Sequence, residues 1–322
     1  MIHDYQPLFY PGVRSVLSDR TGNTAFEIGI IIRSFFLNEK RVFLFINCDT
    51  LKSTIAPVEE VFFRNPLSLQ EAFQPIDVAE STLKTPPVKH NFSWEKFRVT
   101  PYVDTLFRFT EVPATVRNNG LSHGIIDVKG FFLTVDMCPS VKPIEQAFFQ
   151  KLCDLAAHRG SPFPVAICMT GVWMDKHTED FQWLVDQQMA GRLEITWVNH
   201  SYSHFYLEDL VDEENFMLNF FTDLNLEFFS SEKSLIMSGQ TPSPFIRFPG
   251  LVTDASLTNL ARKFGLIPLG SDAWLAKGQE PTNGSVILVH GNGNEHKGII
   301  DVMEILSSHD PKGWLALQDA VC

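Results

Sequence analysis

The sequence predicts an α/β fold, a parallel sheet covered by helices. Three observations predict it. From about residue 125, short apolar runs alternate with amphipathic stretches. The runs are apolar along their length, as strands buried on both faces must be. Polar or aromatic residues fall at the C-terminal ends of five of them, which places chemistry at one edge of the sheet. A closed barrel and a doubly wound sheet both satisfy these observations, and both bind ligands beyond the carboxyl ends of their strands.

The elements follow in order. "GFFLTVDM" reads as a strand and "PSVKPIEQAFFQKLCDLAAHRG" as an amphipathic helix closed by glycine. "FPVAICMTG" is a strand, and "HTEDFQWLVDQQMAG" a helix with Thr178 as N-cap and Gly191 as C-cap. "LEITWVNH" is a strand, "EENFMLNFFTDLNLEFFSS" a helix and "SPFIRFPG" a strand. "DASLTNLARKFG" is a helix, "LIPLGSDAW" and "SVILVHG" are strands, "KGIIDVMEILSSH" is a helix and "WLALQDAV" closes the chain.

The first 120 residues have another texture. "TAFEIGIIIRSFF", "LNEK" and "RVFLFINC" read as a β-hairpin with a short polar turn. "RNPLSLQEAFQPID" and "STLKTPPVKHNFSW" are rich in turn residues, and "YVDTLFRFTEV" alternates. This region reads as mixed and strand-leaning, with no chemistry of its own. "RNNGLSHG", residues 117–124, marks the boundary, giving a region 1–120 of unknown role and a second domain 121–322.

Bulk properties exclude several classes. The 322 residues carry 44% hydrophobic and 20% charged side chains, as a globular protein with a sizeable core does. A net charge of −12 argues against nucleic acid, whose phosphates need a basic footprint. Five scattered cysteines without a CxxC pair read as reduced core thiols. No apolar run reaches the ~18 residues of a membrane span. "MIHDYQPLFYPG" lacks the basic-then-apolar pattern of a signal peptide, which points to the cytoplasm, with a secreted or periplasmic location as the alternative. Nothing in the sequence sets an oligomeric state.

The strand ends gather Asp136, His200, Arg247, Asp272 or Trp274, and His290. His200 and His204, four apart where a strand ends, are either two imidazoles aimed at one metal ion or two hydrogen-bonded loop histidines. Asp136 is a general base, a metal ligand or a helix cap. Arg247 leaves an apolar strand, where a bare cation is costly, so it needs an anion such as Asp136 or Asp272. His290 precedes a glycine-rich loop that lacks the spacing and the Lys-Ser/Thr of a phosphate loop. Trp274 suits the floor of a sugar subsite or ordinary core packing.

In order, "LTVDMCPS", "VNHSYSH", "FIRFPG", "SDAWL" and "VILVHG" resemble the five motifs of the polysaccharide deacetylases of the NodB-homology type, carbohydrate esterase family four. The resemblance covers roughly residues 125–322 and implies a distorted (β/α) barrel of about seven strands, preceded by the smaller N-terminal region. It implies a metal-assisted hydrolase of C–N bonds that removes acetyl groups from an amino-sugar chain. Asp136 would be the base, His290 the acid, Arg247 the group orienting Asp136, and Asp272 the group holding Arg247. His200 and His204, with Asp136, would hold a divalent metal such as Zn²⁺. Trp274, Tyr202 and Gly250 would meet a carbohydrate or small amide substrate, the backbone amide near Gly250 helping to hold the oxyanion. Two departures stand out. Met137 occupies the position of the family's usual third metal ligand, a carboxylate, so the sequence implies a weakly held metal or none. Gly291 occupies the position of the acid that commonly follows the last histidine. The alternatives are a metal-independent amidohydrolase of the same superfamily and a degenerate barrel that binds glycan without turnover.

Overall fold

The structure, a computed structural model, describes residues 1–18, 23–63, 97–113 and 115–321. Its second half is built on seven parallel strands: β6 (Phe132–Met137), β7 (Phe163–Met169), β8 (Leu193–Asn199), β9 (Phe245–Ile246), β10 (Ile267–Pro268), β11 (Ala273–Trp274) and β12 (Val286–His290). Their order is β10-β9-β8-β7-β6-β12-β11, and every ladder is parallel. The chain from Leu269 to Asp272 joins the two end strands, so of the two folds that the alternation of elements allows the sheet takes the distorted (β/α) barrel that the resemblance implies.

Alternation along each strand divides the core. Leu133, Val135 and Met137 of β6, with Val165, Ile167, Met169, Ile287 and Val289, share one cluster with the surrounding helices. Those helices include α2 (Gln146–Arg159), α3 (Gly171–Lys176), α4 (Thr178–Met189) and α7 (His296–Ser308). The residues between them, Thr134, Asp136, Cys168 and His290, face the barrel interior. Register aligns the interior set: Asp136 lies beside His290 on one side and Cys168 on the other.

The N-terminal region is an antiparallel sheet of order β4-β3-β2-β1-β5. It comprises β1 (Ile2–Ser18), β2 (Asn23–Leu37), β3 (Lys40–Asn47), β4 (Ser53–Pro57) and β5 (Val61–Phe63). The hairpin read at 24–48 is β2–β3, turning on Asn38 and Glu39, both at positive φ. Ile30, Ile32, Phe35 and Leu44 of this sheet share a core cluster with Phe245, Ile246, Leu266 and Ile267 of the barrel. Arg33 crosses the same junction. Its Nε and Nη2 each donate to Glu232 at 2.8 Å, and its Nη1 donates to the carbonyls of Ile32 and Phe264.

Several sequence expectations change. The alternating stretch 102–112 is not a strand but helix α1 (Pro101–Phe109). Proline suits its first turn, and Tyr102, Val103, Thr105 and Leu106 are buried at helical spacing. The helix expected from residue 213 starts at α5 (Leu224–Met237), because Asn215, Asn219 and Asp223 bond nearby backbone amides and hold the preceding chain in short 3-10 turns. The helix expected from residue 139 begins after Pro143, at Gln146. Thr178 is the first residue of α4 rather than its cap, and Gly191 follows the true C-cap, Ala190, at positive φ. The strand expected at 266–274 is two short strands interrupted at Gly270. A further helix, α6 (Ala255–Lys263), matches its expected span closely. The turn-rich stretches 64–77 and 81–94, and Cys322, lie outside the described residues. No helix among the described residues is long and apolar enough to cross a membrane.

Candidate active site

A cavity of about 620 Å³ opens at the carboxyl ends of the barrel strands. Asp136, Cys138, His200, His204, Gly250, Trp274, His290 and Glu295 all line it. Five of the residues proposed from sequence for direct chemistry or substrate contact therefore share one space with Asp136, while Arg247 lies fully buried beneath.

Asp136 is the centre of the charge arrangement. Its Oδ1 accepts from Arg247 Nη1 at 2.7 Å, and Nη1 also donates to Thr134 Oγ1. Arg247 Nη2 donates to the carbonyl of Gly270 at 2.8 Å, while its Nε has no hydrogen-bond partner. Burial alone would raise the Asp136 carboxyl. The guanidinium of Arg247, with His200 and His290, outweighs it and lowers the pKa to about 2. The carboxylate is thus ionised throughout neutral pH, and its Oδ2 lies 3.7 Å from His200 Nε2.

Asp272 does not hold Arg247, contrary to what the resemblance implies. The Gly270 carbonyl takes that guanidinium edge. Asp272 instead turns outward, pairing with His123 Nδ1 at 2.6 Å and accepting from Ser285 Oγ and the Val286 amide. Tyr202 also lies away from the cavity walls. Its ring packs over Gly171, where any Cβ would collide with it, and its hydroxyl donates to Asp175 at 2.7 Å.

The loop after β8 brings the two histidines together at a conformational cost. Ser201 and His204 both have positive φ, which costs a non-glycine residue of order 1–3 kcal/mol. Side chains hold every turn of this loop. Ser201 N donates to Asn199 Oδ1, His204 N to Ser201 Oγ, and the amides of Tyr202 and Ser203 both to the buried carboxylate of Glu227 on α5. The two imidazoles end 4.9 Å apart, centre to centre. His200 Nδ1 donates to the carbonyl of Arg247 at 2.8 Å. A carbonyl only accepts, so in the neutral ring Nε2 keeps its lone pair, and that atom faces the cavity.

Met137 does not face the site. Its side chain is fully buried in the outer layer under the helices. Cys138, one residue on, returns to the inner side: its Sγ lies 3.5 Å from His200 Nε2. Asn292 fixes it by donating to the Cys138 carbonyl at 2.6 Å. One donor atom from each of Cys138, His200 and His204 lies within 4.8 Å of the others. Burial alone would push the Cys138 thiol up, but His204, His290 and His200 bring it well below the usual thiol range. Cys138 is therefore a cavity residue, unlike Cys48, Cys153 and Cys168, which are core thiols as expected. Imidazole and thiolate are the ligand types that suit zinc, so the donor set fits the metal the resemblance implies.

His290 stands opposite, beside a carboxylate that the sequence reading does not single out. Its Nδ1 lies 2.9 Å from Glu295 Oε2, an ion-pair distance, although off the line a good N–H donation requires. Trp274 Nε1 donates to the same oxygen at 2.7 Å. Burial would lower the His290 pKa, yet the charge at Cys138 and Glu295 raises it well above the ordinary value. The expected acid is missing at position 291 for a steric reason. A side chain there would run into Val135, Met137 and Phe149, so the acid arrives four residues later across the loop. Gly250, at φ 63°, lies against the ring of Phe216, which in turn packs edge-on to His204.

Cys138 has a signal in the sequence, since period-two alternation from Asp136 puts it on the inner face. Glu295 and Glu227 have none that is local, because each reaches the site through a loop or a packed helix.

No protein-family model matches the chain. Solved structures similar to it include a family 4 carbohydrate esterase from Bacillus anthracis, at 19% identity over 70% of this chain and 92% of that one, TM-score 0.45. A family 4 carbohydrate esterase from Streptomyces lividans aligns at 19% identity over 59% and 92%, TM-score 0.41. A pseudoenzyme of the same family from Bacillus anthracis aligns at 10% identity over 98% and 91%, TM-score 0.43.

Proposed function

We propose that the chain is a hydrolase of a non-peptide C–N bond, an N-deacetylase acting on an amino-sugar chain. The observation that carries the reading is the pairing of opposites across one cavity. An ionised carboxylate, Asp136, is held by buried Arg247, and a cationic imidazole, His290, is held by Glu295. Amide hydrolysis needs both: a base to take a proton from water and an acid to give one to the leaving amine. Asp136 serves as the base and His290 as the acid, with Trp274 and Glu295 orienting His290. Aromatic walls from Trp274, Phe205 and Tyr206 suit the apolar faces of sugar rings. His200 and His204 would hold a divalent metal, which when bound supplies Lewis acidity toward a carbonyl oxygen and lowers the pKa of water. The residues of the barrel, 121–322, carry this chemistry, and the described strands of the N-terminal sheet pack against the barrel through Ile30, Ile32, Phe35 and Leu44.

Acetate release from N-acetylated chito-oligosaccharides tests the reading. The wild-type chain is expected to release acetate with a bell-shaped pH profile. His290→Asn is expected to lose most of the rate together with the alkaline limb. An unchanged profile in that variant would remove His290 from the acid role. A second reading is a barrel that binds glycan without turnover. It is favoured by Met137, a non-ligand where the resemblance expects a carboxylate. Saturable oligosaccharide binding with no acetate released would select it.

A further inference from the structure

We infer that Cys138 is the third protein ligand of the metal site, so that Cys138, His200 and His204 make a thiolate–imidazole centre selective for a borderline-soft divalent cation such as Zn²⁺ or Co²⁺. The inference deepens the hydrolytic reading and rests on it only for what the metal is for.

Four observations converge. Donors around one tetrahedral zinc ion lie roughly 3.3–3.6 Å apart, given Zn–N near 2.0–2.1 Å and Zn–S near 2.3 Å. The Cys138 Sγ to His200 Nε2 distance is 3.5 Å, and His204 joins both within 4.8 Å. His200 is locked with Nδ1 donating to a backbone carbonyl, the outer-shell bond that aims the other ring nitrogen at a metal. The Asn199 and Glu227 side chains hold the strained loop that sets His204 beside it.

The other candidate ligands are excluded by where they point or what they already hold. Met137 packs under the helices on the opposite face of β6. Asp136 gives Oδ1 to Arg247, and its Oδ2, though 3.7 Å from His200 Nε2, does not join the group of three mutually close donors. It is thereby left free for proton transfer. The sequence departure at position 137 is thus made good one residue later, where the strand again turns inward. Replacing a carboxylate by a thiolate changes the metal preference. Sulfur favours zinc-type ions, whereas Mg²⁺ and Mn²⁺ prefer carboxylate and water oxygens.

The experiment uses the full chain stripped with chelator and titrated with Co²⁺. We expect one equivalent to bind with a near-ultraviolet thiolate-to-cobalt charge-transfer absorption, displaced by Zn²⁺ and unaffected by excess Mg²⁺. Cys138→Ala should lose that absorption. It should also weaken binding by more than the roughly 10–100-fold that an outer-shell partner controls. A wild-type cobalt complex without the thiolate absorption, or cobalt binding in Cys138→Ala as tight as wild type, would overturn the inference. Should Cys138→Ala misfold, wild-type protein decides. Zn²⁺ should protect Cys138 from iodoacetamide, read by peptide mass, and equal alkylation with and without zinc would overturn it. The cobalt spectrum needs no turnover. A protein that shows the absorption but releases no acetate would therefore refute the deacetylase reading and support the thiolate site.

Discussion

Two buried arginine–carboxylate pairs, one at the junction of the N-terminal sheet with the barrel and one at the barrel rim, use the same chemistry to opposite ends. At the junction, Arg33 meets Glu232 through two bonds of 2.8 Å, and the carboxylate also accepts from Tyr5. Asn199 lies 3.4 Å from its other oxygen. Every polar atom of that pair is spent on protein. At the rim, Arg247 holds only Oδ1 of Asp136, leaves its own Nε unpartnered and leaves Oδ2 facing His200 across the cavity. The closed pair is structural. The open pair keeps a charged oxygen available, and its unsatisfied atoms mark the place where stability is given up for chemistry.

The largest expected effect breaks the closed pair. Arg33→Ala strands the Glu232 carboxylate at a fully buried position and is expected to cost about 3–5 kcal/mol of stability. Denaturant unfolding measures it. Replacing both partners with leucine should recover much of that loss, because the desolvation cost disappears with the charges. A loss no larger than a surface substitution gives would mean that the junction is wet.

Breaking the open pair should act on rate rather than stability. Asp136→Asn keeps an amide oxygen for Arg247 but removes the base. Turnover is expected to fall by ~10²-fold or more, which is about 2.7 kcal/mol of barrier. Acetate release against a thermal melt separates the two effects. Wild-type rates in the variant would show that the free oxygen is not the base.

The two pairs also differ in how far the sequence reveals them. Asp136 and Arg247 are legible because each ends an apolar strand, and a charge there demands a partner. The helix-covered parallel sheet is legible for a similar reason: whole-length apolar runs separated by amphipathic helices admit a barrel or a doubly wound sheet, and only the motif resemblance chooses between them. Arg33 and Glu232 lie 199 residues apart, on a strand and a helix whose contact no local pattern encodes. The same limit hides Glu295 and Glu227. Where residues 102–112 alternate, period two and period 3.6 coincide over so short a stretch, and burial against the barrel decides for the helix. The tie between Arg247 and Asp272 fails because a backbone carbonyl, invisible in a residue pattern, takes the guanidinium edge first.

A smaller effect sharpens the rim. Glu295 is half-buried, and its charge helps to hold His290 protonated well above the ordinary imidazole range. A group that must be protonated to act loses function as pH rises through its pKa. Removing the neighbouring negative charge lowers that pKa, so Glu295→Gln should move the alkaline limb of the rate profile to lower pH, only modestly because the charge at Cys138 raises His290 more and solvent screens the half-buried Glu295. The acid limb should stay where it is. An alkaline limb that does not move would assign it to a group other than His290.

The smallest effect asks whether the two regions are coupled through the helix they share. Helix α5 carries Glu227, which pins the histidine loop, and Glu232, which ties down the N-terminal sheet. Asp223 caps it, its Oδ1 accepting from the amides of Asn225 and Leu226. Asp223→Ala should cost about 1 kcal/mol, the usual value of a lost cap. Fraying is confined to the first turn, so its consequences should be unequal. Glu227 sits at the end of that turn, and its hold on the Tyr202 and Ser203 amides should loosen. Glu232 sits beyond it, packed among buried side chains, and should not move. The variant is therefore expected to weaken metal binding slightly, read by cobalt titration. Amide exchange at the β2 residues around Arg33 should slow or quicken only with global stability. Equal loosening at both ends would mean that α5 moves as one body, and that the closed pair supports the open one directly.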